Sequence, residues 1–186
     1  MTSTVLPIDA AGTSVGRRGP MGQNTGMKLF SQALFDELAA KATTSPRQRI
    51  NHNVHADASD PVQRFFVAAN KGSYIRPHRH LSKVELALVI RGRFEVVIFD
   101  DEGIVTARYS VGEGSPNVGF ETPRATWHTL MAQSDGSLFF EVKEGPYDPA
   151  TVSEFAPWAP PEGHAAVAAF LEWTRTASPG SRAPRF

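Results

Sequence analysis

Between residues 65 and 143 the chain is cut into short runs of β-branched and aromatic residues, each ended by a turn signal, and this rhythm constrains the fold most. The runs at 65–70, 74–80, 84–91, 94–100, 104–111, 118–121, 127–132 and 138–143 predict strands. Lys71-Gly72, Arg91-Gly92, Asp101-Glu102-Gly103, Gly112-Glu113-Gly114 and Asp135-Gly136 supply the turns between them. Short strands at regular spacing, with no helix among them, predict an all-β antiparallel sandwich or barrel.

The flanks read differently. Ser31 is placed to cap a helix running to about Lys41, with Leu34, Phe35, Leu38 and Ala42 on one stripe. The stretch Asn51-His52-Asn53-Val54-His55 reads as a polar loop. Residues 145–163 hold seven Pro or Gly, so this segment is expected to wrap the barrel with Tyr147, Phe155 and Trp158 pinned down. Residues 164–174, with Val167, Phe170, Leu171 and Trp173, predict a terminal helix. Residues 1–26, rich in Thr, Ser, Gly and Pro, read as a disordered leader or as sequence upstream of a start at Met27. The barrel domain is then expected over 27–176, with a frayed tail at 177–186.

Composition removes several classes of function. Lys plus Arg equals Asp plus Glu at 19 each, and Arg47, Arg49 and Arg64 form no convincing basic stripe, so no nucleic-acid partner is expected. No apolar run approaches the roughly 20 residues that span a bilayer, so no membrane partner is expected and the cytoplasm is the default location. With no cysteine, any metal must be held by His nitrogen and oxygen ligands.

Such ligands stand close together. His78 and His80 share a strand face by their spacing, and Glu85 opens the following run. His128 lies in the run at 127–132. His-x-His alone is more often a pair of solvated polar residues. Gly72 before it, Glu85 after it and Gly92 beyond make a longer pattern, expected by chance in on the order of one chain in ten thousand at average residue usage.

That pattern, G-x5-H-x-H-x4-E-x6-G, resembles the first cupin motif without departure. The second cupin motif is matched at Pro123 and His128, but Asn117 and Ala125 stand at its two glycine positions and Ala132 at its final Asn. A closer resemblance, over about residues 27–173, is to the WbuC family of bacterial cupin metalloproteins. It rests on segments such as Arg76-Pro77-His78-Arg79-His80, Trp127-His128-Thr129-Leu130 and Glu144-Gly145-Pro146-Tyr147-Asp148-Pro149. The resemblance implies a jelly-roll β-barrel with a short helix at each end. It implies one divalent transition metal (Fe, Mn, Ni, Co, Cu or Zn) on His78, His80, Glu85 and His128. It also implies a homodimer as one expected assembly, and a link to the sugar or nucleotide-sugar chemistry of surface-polysaccharide assembly.

Tyr74 and Arg76 share the parity of His78 and are expected at the barrel mouth, where Arg76 would clamp an anionic group of a small-molecule ligand. Asn51 and Asn53 are candidate lining residues of a lid. Glu141 and Lys143 share one face of the last run, and alternation alone leaves open whether that face points inward. Three functions fit these residues: a metal-dependent small-molecule enzyme, a non-catalytic metal-dependent binding or sensing module, and a metal-free isomerase or epimerase. The last would need a His base with a Tyr acid, and the intact ligand set argues against it.

Overall fold

A computed structural model describes residues 26–150 and 152–185; the expected leader, save for Gly26, lies outside the described residues. The chain divides into Met1–Phe30 and Ser31–Phe186. In the first unit, residues 26–30 are exposed and form neither helix nor strand.

In the second unit Ser31 starts the first helix as expected: its Oγ accepts the Leu34 N–H at 3.2 Å, and helix α1 runs over Gln32–Thr44. Among the described residues ten strands follow: β1 (Arg49–Asn53), β2 (Val62–Ala69), β3 (His78–Arg79), β4 (Glu85–Arg91), β5 (Arg93–Phe99), β6 (Val105–Gly112), β7 (Gly119–Thr122), β8 (Trp127–Ala132), β9 (Ser137–Glu144) and β10 (Glu154–Phe155). Helix α2 (Val167–Thr176) comes last. The strands form two five-stranded sheets, ordered β1-β2-β9-β4-β7 and β10-β3-β8-β5-β6, with antiparallel pairing throughout.

Four layers account for the burial pattern. Between the sheets lie Phe65, Val67, Phe94, Val96, Leu130 and Phe139, with Phe94 and Phe139 meeting edge to face at 5.2 Å. Outside the first sheet, Phe35, Leu38 and Ala42 of α1 cover Phe66, Ala68 and Leu138. Outside the second, α2 and the wrap place Phe170, Ala156 and Ala159 over Phe99, Trp127 and Met131. Strand β8 is therefore buried at every residue: Leu130 and Ala132 face the barrel interior, while Trp127 and Met131 face α2. Among the described residues no helix is long and apolar enough to cross a membrane.

Four expectations need correction. The segment read as a polar loop at 51–55 is largely the edge strand β1, whose Asn51 and Asn53 pair with Val67 and Phe65. Its polarity reflects the polar cavity that it faces. The run at 74–80 is strand only at His78–Arg79, because Pro77 has no N–H to give to a ladder. The wrap adds a strand, β10, against β3. Part of the expected tail is tied down: Arg182 bridges Ile104, and the Val105 N–H donates to the Ser181 carbonyl at 2.9 Å. It satisfies backbone groups left open at the start of β6.

The motif glycine and one of its replacements carry a measurable consequence. Gly92, with φ +70°, turns β4 into β5, and a Cβ there would meet Ser137 Oγ at 2.5 Å. Ala125 occupies a motif glycine position and adopts φ +59°, a left-handed conformation that costs an L-residue roughly 1–2 kcal/mol. Ala125→Gly is expected to stabilise the protein by about 0.5–1 kcal/mol after the greater unfolded-state freedom of glycine is deducted. Denaturant unfolding with an unchanged slope checks it.

Candidate metal centre

The register of the second sheet sets His78 of β3 directly opposite His128 of β8. His80 follows β3, and Glu85 is the first residue of β4. One donor atom from each of these four residues lies within 4.8 Å of all the others. His80, Glu85 and His128 are buried, and His78 is half-buried.

The backbone decides which imidazole nitrogen is free. The Nδ1 atoms of His78 and His128 lie 2.9 Å from the carbonyls of Arg76 and Thr126, and His80 Nδ1 contacts the carbonyl of Val152. A carbonyl only accepts, so each Nδ1 donates and Nε2 is the nitrogen each ring has left for the site, where that of His80 is hydrogen-bonded to Glu85. His80 Nε2 is 2.8 Å and His128 Nε2 3.6 Å from the two oxygens of Glu85. Adjacent donors around an ion with bonds of about 2.1 Å are separated by roughly 3.0 Å in octahedral and about 3.4 Å in tetrahedral geometry. The spacing fits one ion. His128 Nε2 is moreover buried without a hydrogen-bond partner, a costly state for a lone pair unless a cation fills the gap. Nδ1–carbonyl bonds of this kind also orient the rings of metal-bound histidines.

Burial, followed by the charge of His128, pushes His78 down to about 3, against the opposing pull of Glu85. Burial raises Glu85, but the His128 and His80 contacts and the Lys143 charge outweigh it and hold the carboxylate well below its ordinary range. Without metal, an unfolded chain takes up the His78 proton near pH 6.5, whereas the folded chain refuses it until about pH 3. The contribution of His78 is thus present above 6.5 and is lost as pH falls toward 3. Metal-stripped protein is expected to show melting temperatures that fall over this window, and His78→Gln should flatten the slope.

Beside the four residues lies a cavity of about 620 Å³. His78 and Glu85 form part of its wall, and Phe65, Val67, Leu130 and Phe139 supply apolar lining. Alternation along β1 brings Arg49, Asn51 and Asn53 to the same space, so the two expected asparagines do line it. Tyr74 and Arg76 do not. Tyr74 is buried against Phe170, its hydroxyl donating to the Pro160 carbonyl at 2.9 Å. Arg76 donates to the Ala156 carbonyl at 2.8 Å and lies over the Phe155 ring. Their parity with His78 fails because the chain before Pro77 is not strand.

The face of β9 left undecided by sequence points inward. Cross-strand register puts Lys143 beside Glu85, and Glu141 lies two residues earlier on the same face. Lys143 Nζ is 2.6 Å from Glu141 and 3.5 Å from Glu85. Burial, then the charge of Glu85, raises Glu141 to about 8 despite the opposing Lys143. The Lys143 ammonium thus faces one carboxylate held ionised and one carboxyl that keeps its proton more readily than usual. At the rim Glu162 receives Arg47 at 2.8 Å and Arg49 at 2.5 Å, tying the wrap to the start of β1.

Two antiparallel sheets in this order, with the first-motif residues converging on the second-motif histidine, decide the architecture. It is a cupin jelly roll. A family model described as a domain of unknown function (DUF6016) matches residues 30–111, less than half of the chain. No curated protein matches. Among solved structures, KdgF from Halomonas sp. is similar at 23% identity over 58% of this chain and 86% of that one, with a TM-score of 0.42. An oxalate oxidase in complex with glycolate is similar at 20% identity, 62% and 59% coverage and a TM-score of 0.45. CapF with an inhibitor is similar at 19% identity, 56% and 31% coverage and a TM-score of 0.47. The chain thus spans less than two thirds of the latter two.

Proposed function

We propose that this cupin is a metalloprotein that holds one divalent ion on His78, His80, Glu85 and His128 and offers it to a small polar molecule in the adjoining cavity. The observation that carries the reading is the set of three imidazoles, oriented by Nδ1–carbonyl contacts and gathered with a carboxylate beside that cavity. A bound divalent ion would supply Lewis-acid or redox chemistry to the ligand.

The chain's own residues define what the ligand meets. Asn51 and Asn53 offer amides to hydroxyl or carboxylate groups, and Phe65 gives an apolar surface on the neighbouring strand. Glu141 and Lys143 stand ready to hold or pass a proton beside Glu85. This mixture suits a sugar or sugar acid, in keeping with the resemblance to the WbuC family and its association with surface-polysaccharide assembly.

Thermal-shift screening of metal-loaded and metal-stripped protein against sugars, sugar acids and nucleotide sugars tests the reading. At least one ligand is expected to raise the melting temperature only when metal is present. Equal stabilisation of the stripped protein by every such ligand would contradict it.

A further inference from the structure

A second cleft, of about 690 Å³, lies between the wrap and the C-terminal tail, and its lining differs from that of the metal-side cavity. Arg76, Arg182, Arg185 and His164 converge on it, with Glu102 the acidic residue among its lining. None of the three guanidiniums forms an ion pair among the described residues, although eight other arginines do. Arg182 donates to the backbone carbonyl of Glu102, at 3.1 Å, rather than to its carboxylate.

Guanidiniums without a counter-charge on one concavity repel each other. That repulsion is relieved by a ligand with several anionic oxygens, since each guanidinium offers a planar fork of donors. We propose that this cleft is a binding site for a small polyanion bearing phosphoryl or several carboxylate groups. Its volume falls in the range of small-molecule sites. The inference does not depend on the metal centre. It also gives Arg76 the anion-binding role expected from sequence, in a different cavity.

Calorimetric titration of the full chain with inorganic pyrophosphate, and separately with citrate, tests it. Saturable binding of at least one probe is expected, weakening with added salt. Preference for pyrophosphate would assign phosphoryl ligands, and preference for citrate carboxylate ligands. The double variant R182Q/R185Q, at two exposed positions, is expected to weaken binding tenfold or more, and Glu102→Gln to strengthen it severalfold. Both probes also chelate metals, so His128→Ala separates the two cavities and is expected to bind as the wild type does. The proposal is overturned if neither probe saturates, if R182Q/R185Q binds normally, or if binding disappears in His128→Ala.

Discussion

His128→Ala is expected to lose nearly all bound metal and, with it, the extra thermal stability of the loaded protein. His128 is fully buried, comes from β8 rather than the β3–β4 region, and has no other partner for its Nε2. If metal is supplied at about a thousand times its dissociation constant, the folded state gains roughly 4 kcal/mol by mass action. For a domain of this size that is about 8–16 °C in melting temperature. Metal should therefore raise the melting temperature of the wild type by this amount and leave the variant almost unmoved. An equal shift in both would remove His128 from the ligand set.

Lys143→Met is expected to produce the second large effect. The ammonium faces Glu141 and Glu85, both buried, and its own burial penalty is outweighed by their charges. Removing one partner from a buried ionic group leaves a charge without compensation, costing roughly 3 kcal/mol or more. Glu141, already raised to about 8, is driven higher still. A raised carboxyl contributes stability that is complete below its unfolded value of 4.5 and is lost as pH rises through its folded value. The loss on Lys143→Met should accordingly be larger at pH 9 than at pH 5. Adding Glu141→Gln should recover part of it, and denaturant unfolding of metal-free protein at both pH values measures the set.

The four central residues were legible in the sequence because their recognition does not depend on sheet register. His78, His80 and Glu85 fall within eight positions, and their motif ends on Gly92, whose left-handed backbone the β4–β5 turn requires. Strand boundaries from residue 84 to residue 144 were legible for a similar reason, since turn residues separate most of the successive strands. What escaped was set by tertiary pairing. Lys143 stands beside Glu85 only through the β4–β9 register, which no local pattern encodes. Asn51 and Asn53 looked like loop residues because a strand facing a polar cavity lacks the usual apolar alternation. Tyr74 and Arg76 were assigned by a parity that Pro77 interrupts. The rim pairing of Arg49 with Glu162 joins residues 113 positions apart, and nothing near either residue announces the other.

Anomalous diffraction from crystals of metal-loaded protein, recorded at the absorption edge of the bound element, tests the central claim most directly. The account predicts one strong peak per chain, within about 2.0–2.4 Å of the Nε2 atoms of His78, His80 and His128 and of a Glu85 oxygen. A fully loaded crystal whose peak lies away from these four side chains would contradict it.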